Sequence, residues 1–202
     1  MRYVFIFVCI VSTVLSGCVR ISREHPDITY YNLKVTRGEE PRGRDEGMSL
    51  KLRALEARQP YDSRRFVYHV QKNEVVRDYY NQFAAFPAVM LTAAVGDWLQ
   101  DSPSVDFVSR ERDMIDCDYE LRGEIIELYG DFTDPADPRA VLVLRFTLLA
   151  TADIPYAVVF SREYEASVRV ERVSSTALLE GWKKGVRRIL NDLEEDLPQT
   201  ES

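Results

Sequence analysis

From Tyr119 to Val170 apolar and polar side chains take turns, and that pattern limits the possible folds more than any other stretch of the chain. Tyr119, Leu121, Gly123 and Ile125 fall on one side of an extended backbone, with Glu120, Arg122 and Glu124 on the other. Ala140, Leu142, Leu144, Phe146, Leu148 and Ala150 form a second such row. Tyr156, Val158, Phe160, Tyr164, Ala166, Val168 and Val170 form a third, interleaved with Ser161, Glu163, Glu165, Ser167 and Arg169. A period of two with one apolar face describes strands covered on one side and wet on the other, the habit of antiparallel sheets. Asp131-Phe-Thr-Asp134-Pro-Ala-Asp137-Pro138 and Asp153-Ile-Pro155 separate the runs, and both are rich in turn-forming residues.

Two segments change the period and supply the cover. After Pro87, which suits a first helical turn, Leu91, Val95, Trp98 and Leu99 recur at helical spacing, with Met90 and Ala94 widening the stripe. Gly96 weakens that helix by about 1 kcal/mol relative to Ala. A second helix fits Ser174–Leu197, capped by Ser174 or Ser175. Its stripe is Leu178, Trp182, Val186, Ile189, Leu190, Leu193 and Leu197, with Lys183, Lys184, Arg187 and Arg188 mainly outside it. Gly181 and Gly185 stand four apart there, and those cations exclude the helix from lipid, so the pair reads as close packing on the sheet. Upstream, Ile28–Val35 and Ser49–Leu55 read as strands around the loop Thr36–Gly47. Arg65–Gln71 and Val75–Phe83 form a hairpin about Lys72-Asn73-Glu74. The expected fold is α+β: a single domain, a mostly antiparallel sheet with two main helices packed on one face.

The N-terminus has a different grammar. Met1-Arg2 is a brief cationic start, and Tyr3 to Leu15 is an uncharged run of thirteen residues. That is well short of the roughly 20 a helix needs to cross a bilayer. Leu15-Ser16-Gly17-Cys18 then has the form of a lipobox, in which a signal peptidase cuts between Gly17 and Cys18 and the Cys18 thiol is the acceptor for a diacylglyceryl thioether. Residues 1–17 read as a lipoprotein signal peptide, 18–27 as the lipidated N-terminus and tether, 28–198 as the domain and 199–202 as a tail. A bacterial lipoprotein with its domain in the periplasm is the expectation. Val19 replaces the aspartate that commonly signals inner-membrane retention, which favours the outer membrane. The net charge is −7 with scattered Lys and Arg, so nucleic acid is not an expected partner.

Little in the domain promises chemistry. Cys9 leaves with the signal and Cys18 is acylated, so Cys117 lacks an intramolecular partner and reads as a partly buried structural thiol. His69 is the only histidine of the domain, and neither a Gly-x-x-x-x-Gly-Lys loop nor a Gly-x-Ser-x-Gly elbow is present. Two histidines and one free thiol make no protein-built zinc site. Asp116-Cys-Asp118-Tyr-Glu120 puts Leu121 where an EF-hand loop needs glycine. No enzymatic activity, metal or cofactor is expected. What remains is a surface. Val141, Val143 and Leu149, with Arg145 and Thr147, lie on the second face of the 140–150 strand. They need cover from a loop, a neighbouring copy in a homo-oligomer, or a ligand or partner. Val141, Val143, Arg145 and Leu149 are the partner-binding candidates.

Several strings taken together resemble the ABC-type transport auxiliary lipoproteins, typified by the paraquat-inducible protein C type. They are the lipobox with Cys18, Tyr30-Tyr31-Asn-Leu33, Leu52 through Tyr61, and Arg65-Phe-Val-Tyr68. Tyr79-Tyr80-Asn-Gln-Phe83-Ala-Ala-Phe86-Pro87, Asp118-Tyr119-Glu-Leu121-Arg-Gly123-Glu124-Ile125 and the terminal helix complete the set. Phe83 or Phe86 stands where the family has tryptophan, and Asp153-Ile-Pro155 lacks a glycine expected there. The resemblance implies a non-catalytic accessory of an envelope ABC system of the mammalian-cell-entry type, moving lipids or other hydrophobic molecules. It would dock on the membrane-anchored substrate-binding protein of that system. The alternative from another class is an assembly lipoprotein of an outer-membrane machine unrelated to any ABC transporter. Replacing Cys18 with Ala should abolish palmitate labelling and block normal processing; undiminished label in that variant would remove the anchor.

Overall fold

The computed structural model describes residues 27–37, 47–110, 113 and 115–198. The lipobox with Gly17 and Cys18, most of the tether and the tail lie outside the described residues. Five strands come first: β1 (Thr29–Tyr31), β2 (Met48–Leu52), β3 (Glu56–Ala57), β4 (Arg65–Gln71) and β5 (Glu74–Phe83). Helix α1 (Pro87–Gln100) follows, then β6 (Val105–Arg110), β7 (Tyr119–Asp131), β8 (Arg139–Ala150) and β9 (Ala157–Arg169). Helix α2 (Ser175–Glu195) completes the order. The α+β class and the single domain expected from the sequence are what the structure has.

Pairing is antiparallel in the longest contacts and parallel in the short ones. β7–β8 and β8–β9 are antiparallel along almost their whole length, and β4–β5 is the expected hairpin. β7 carries on its other edge three short parallel partners in succession: β2 beside Tyr119–Leu121, β3 beside Glu124–Ile125 and β4 beside Gly130–Asp131. β6 then extends the sheet parallel to β2, and β1 extends it parallel to β5. The strand at Val105–Arg110 has no clean alternation, since both Val108 and Ser109 are buried, and the sequence pattern did not single it out.

Helix α2 lies over the even-numbered face of β8 and over β9, while α1 packs on β6 and β3 and meets α2 on the same side. Leu142, Leu144, Phe146 and Leu148 are fully buried there, joined by Leu121 and Ile125 of β7 and by Leu91, Val95 and Leu99 of α1. The whole α2 stripe from Leu178 to Leu197 is buried as its spacing predicts. Ser174 is the N-cap, its hydroxyl accepting the Ala177 N–H, a bond worth about 1 kcal/mol to a helix start. Trp182 sits at the centre: its indole N–H reaches the backbone carbonyls of Tyr129 and Val141, both at 3.2 Å, and its ring packs against Phe66 and Phe83.

Close approach explains the two glycines of α2. A Cβ at Gly181 would stand 2.6 Å from Ala140 Cβ and 3.0 Å from Val170 Cγ1, whereas at Gly185 the nearest atom is Ala166 Cβ at 3.2 Å. Ala favours a helix over Gly by about 1 kcal/mol, but overpacking a tight contact costs about 1–3 kcal/mol. Gly181→Ala should therefore lower unfolding free energy by roughly 1–2 kcal/mol, and Gly185→Ala should stay near neutral. Denaturant melts of the two variants with indistinguishable midpoints would contradict the packing argument.

Candidate docking surfaces

The helix-free face of β7–β8–β9 is a ladder of charges. Glu124 faces Arg145 across one pair and Arg145 faces Glu163 across the next. Arg145 donates to Glu124 at 3.0 Å and also pairs with Glu163, while Arg58 pairs with Glu124 at 2.6 Å. Beside them Thr147 and Ser161 share a hydrogen bond at 2.8 Å. Glu124, Arg145, Thr147 and Ser161, together with Arg53, Glu56 and Arg122, line an open cleft of about 640 Å³. The two hydroxyls bond to each other, and Glu124 and Glu163 are held by guanidinium groups.

The apolar residues named for this face lie beneath that ladder. Val141 is 6 %, Val143 9 % and Leu149 7 % exposed, so the chain covers these three residues itself. Register gives the reason. Val143 sits between Glu127 and Glu165, and Val141 between Tyr129 and Ser167. The stems of long flanking side chains shield an apolar residue between them while the polar ends stay wet. Of the four candidates, only Arg145 presents itself to solvent.

Exposed apolar surface is found instead at the end of the β8–β9 hairpin. Ile154 is 93 % exposed, and Tyr156, Val158 and Val159 are exposed with it. The sequence row put Tyr156 and Val158 on the covered face; two local facts correct this. A register shift between Leu148 and Leu149 sets Leu148 against Phe160 but Leu149 against Val158. The covering helix also stops short: α2 ends at Glu195, and Asp196 is tied to Arg162 and Tyr164 on β9. Beyond the helix, Pro198 lies beside Ala150, Thr151 and Ala152 at the base of the hairpin loop.

The domain consequently has two poles. The tip follows the Tyr119↔Ala150 pair, at the start of β7. β1, the first strand, lies against Asn81–Phe83 of β5, whose Gln82 pairs with Arg65 at the start of β4, and β4 meets the far end of β7 at Gly130. Arg65 stands three residues before Tyr68 and so level with Glu127, and from Tyr119 to Glu127 the strand rises roughly 26 Å. The N-terminal edge and the hairpin tip are thus set well apart along the sheet.

The remaining sequence candidates have structural partners. Cys117 is buried and free; burial pushes its thiol up, away from a reactive thiolate. His69 stacks on Tyr129 with ring centroids 3.7 Å apart. Asp131 caps Thr133 and Asp137 pairs with Arg139 and Arg169, so the Asp-rich segment is the β7–β8 turn that its composition predicts. A network the sequence pattern did not single out joins both helices: Glu194 accepts from Arg37 at 2.7 Å, Ser102 at 2.6 Å and Trp98 at 3.3 Å. Only the tertiary fold brings those four residues together, and spacing along the chain holds no sign of it. Among the described residues no helix is long and apolar enough to cross a membrane.

These features define an α+β domain with helices on one face, a charged open face and an apolar tip. No protein-family model and no curated protein matches the chain. Solved structures do share its fold. Protein XCC0632 from Xanthomonas campestris, of the DUF330 family, superposes with a TM-score of 0.72 at 20 % identity over 82 % of this chain and 92 % of that one. An uncharacterized protein matches with a TM-score of 0.67 at 11 % identity, over 85 % and 99 % of the two chains. Hypothetical protein CT253 from Chlamydia trachomatis matches with a TM-score of 0.55 at 8 % identity, over 74 % and 96 %.

Asp118 offers a test of how β2 is fastened to the start of β7. Its carboxylate accepts the Ser49 hydroxyl at 2.6 Å and the Ser49 N–H at 2.9 Å, and these bonds hold it below the usual carboxylate range. A folded pKa below the unfolded value of about 3.9 stabilises fully above that pH and is lost as pH falls through the folded value. Asp118→Ala should lower stability at pH 7 by roughly 0.5–1 kcal/mol, allowing for its solvent exposure. The gap from the parent should close as melts are repeated toward pH 3. A gap that is constant across that range would deny the carboxylate its role.

Proposed function

We propose that this protein is a lipid-anchored accessory of an ABC-type envelope transport system of the mammalian-cell-entry type, working in the periplasm by docking rather than by turnover. The reading joins the lipobox and the family resemblance over nearly the whole mature chain to one structural observation: the N-terminal edge and the exposed apolar hairpin tip lie well apart on the sheet. An anchor at Cys18 holds one pole near a membrane and leaves the other free to meet a substrate-binding protein. The charged open face supports the same reading, because its hydroxyls and carboxylates are arranged for complementary contact. Specific interfaces centre on a few apolar anchors within about 1,600 Å² of buried area. Ile154, Tyr156 and Val158 suit that part better than Val143, whose burial makes a charge there a folding defect.

A photoreactive amino acid at Ile154 should cross-link in cells to the mammalian-cell-entry type protein. Ile154→Asp with Val158→Asp should lower co-purification of that partner at least about tenfold, the loss of two anchors, with acylation and abundance unchanged. Adducts with a β-barrel component alone would favour the assembly role, and no adduct with the transporter protein would end the docking proposal.

A further inference from the structure

The β1–β5 edge carries a feature that neither the fold nor the docking tip requires. Arg65↔Gln82 and Val67↔Arg77 are successive pairs of the β4–β5 hairpin, so β5 spends Asp78 to Asn81 while β4 passes only Phe66. Asp78 holds this bulge together. Its carboxylate accepts the backbone N–H of Tyr80 at 2.8 Å and of Asn81 at 3.1 Å, the Asn81 side-chain amide at 2.7 Å and the Tyr68 hydroxyl at 2.7 Å. Burial alone would raise its pKa, but these four donors overcome that and hold it low. The bulge turns Tyr79 and Tyr80 outward; each is about half exposed, as is Tyr30 on the adjoining β1. Tyr79 and Tyr80 meet edge to face at 5.4 Å, Arg65 lies over Tyr79 and Arg64 over Tyr30, each at 5.5 Å.

We infer that this tyrosine–arginine patch rests on an anionic phospholipid surface and sets the orientation in which the domain stands on its membrane. The inference builds on the anchor reading and adds a surface to it. Tyrosine suits the headgroup layer because one end of its ring is apolar and the other wet. Guanidinium groups pair with lipid phosphate, and each basic residue near an anionic leaflet contributes about 1 kcal/mol. The tether decides for lipid over protein. Residues 18–27 cannot reach beyond about 35 Å even fully extended, and β1, which carries Tyr30, is the first strand after them. The distal tip makes the contrast: Thr151 to Ser161 contains no Lys or Arg, and Asp153 is its single charge. Apolar surface with cations stands at the tethered end, and apolar surface without them at the other.

The full acylated chain reconstituted into vesicles tests this. Trp98 and Trp182 are 4 % and 0 % exposed, so they give a lipid-insensitive background for Tyr79→Trp. Brominated phosphatidylglycerol should quench the new indole strongly, brominated phosphatidylcholine less, and Ile154→Trp at the far pole should go unquenched in both. Arg64→Glu with Arg65→Glu should shift the docked equilibrium at least on the order of 30-fold, from the loss of two basic contacts. High salt should weaken quenching in the chain that keeps both arginines, which covers the case of a poorly folded double variant. Vesicles that float with the protein while Tyr79→Trp stays unquenched overturn the patch and leave the anchor standing. A chain without acyl label that fails to float overturns both. Quenching equal at Ile154→Trp, or a Tyr79→Trp signal that responds only to an added protein, assigns the patch elsewhere and overturns it too.

Discussion

Strand β7 pairs on both edges, and nearly every other element takes its place from that fact. Its thirteen residues give one edge to β8 and divide the other among β2, β3 and β4 in turn. The chain uses eleven residues from Ala57 to Tyr68 where β7 uses five from Ile125 to Gly130, so the excess loops out between two short partners. The early strands are thus laid along a template synthesised well after them. Such parallel, long-range pairing gains nothing until the loop between has closed. Gly123 and Gly130 keep the template free of bulk on its covered face, where a Cβ would come within 3 Å of Leu55 and Leu178.

Helix α2 completes this arrangement from above. Trp182 ties it to β7 and β8 at once, through the carbonyls of Tyr129 and Val141, and fills the space beside Phe66 and Phe83. At its other end Glu194 draws in Arg37, Trp98 and Ser102, so that the two helices and the strand-leading segment share one acceptor. Arg37 also lies over the Trp98 ring at 4.8 Å. Removing a partner from a largely buried charge network leaves the others unsatisfied, which makes such contacts costly to break even where their net worth is small. All the helical cover goes to one face. The other face is left to solvent and to whatever meets it.

That one-sidedness shapes the functional reading. A sheet with helices on both faces offers only edges and loops, whereas this one offers a broad charged face, a free hairpin tip and a tyrosine-bearing edge. The charges on the open face largely satisfy one another, as Arg145 does with Glu124 and Glu163. They keep it soluble and can set the register of a partner without supplying much affinity. Exposed apolar side chains mark both ends, with others at Phe86, Val89, Phe107, Ile115 and Val173. The chemistry of the two ends differs, cation-rich at the N-terminal edge and cation-free at the tip.

The sequence by itself determined what depends on neighbours along the chain. Alternation from Tyr119 to Val170 and the stripe from Leu178 to Leu197 are local periodicities, and the structure follows both except at Tyr156 and Val158. The Ser174 cap, the Asp-rich turn and the Gly181 contact followed from residue chemistry at single positions. The tertiary structure decided everything that needs a register between distant strands. It laid β2, β3 and β4 parallel to β7, where alternation alone suggested only antiparallel neighbours. It hid Val141, Val143 and Leu149 under side chains of β7 and β9, and it left Tyr156 and Val158 bare. It also gathered Arg37, Trp98, Ser102 and Glu194 around one carboxylate. The reason is physical: periodicity reports which face of an element is apolar, but exposure is fixed by what lies across from it, and that is a property of the assembled sheet.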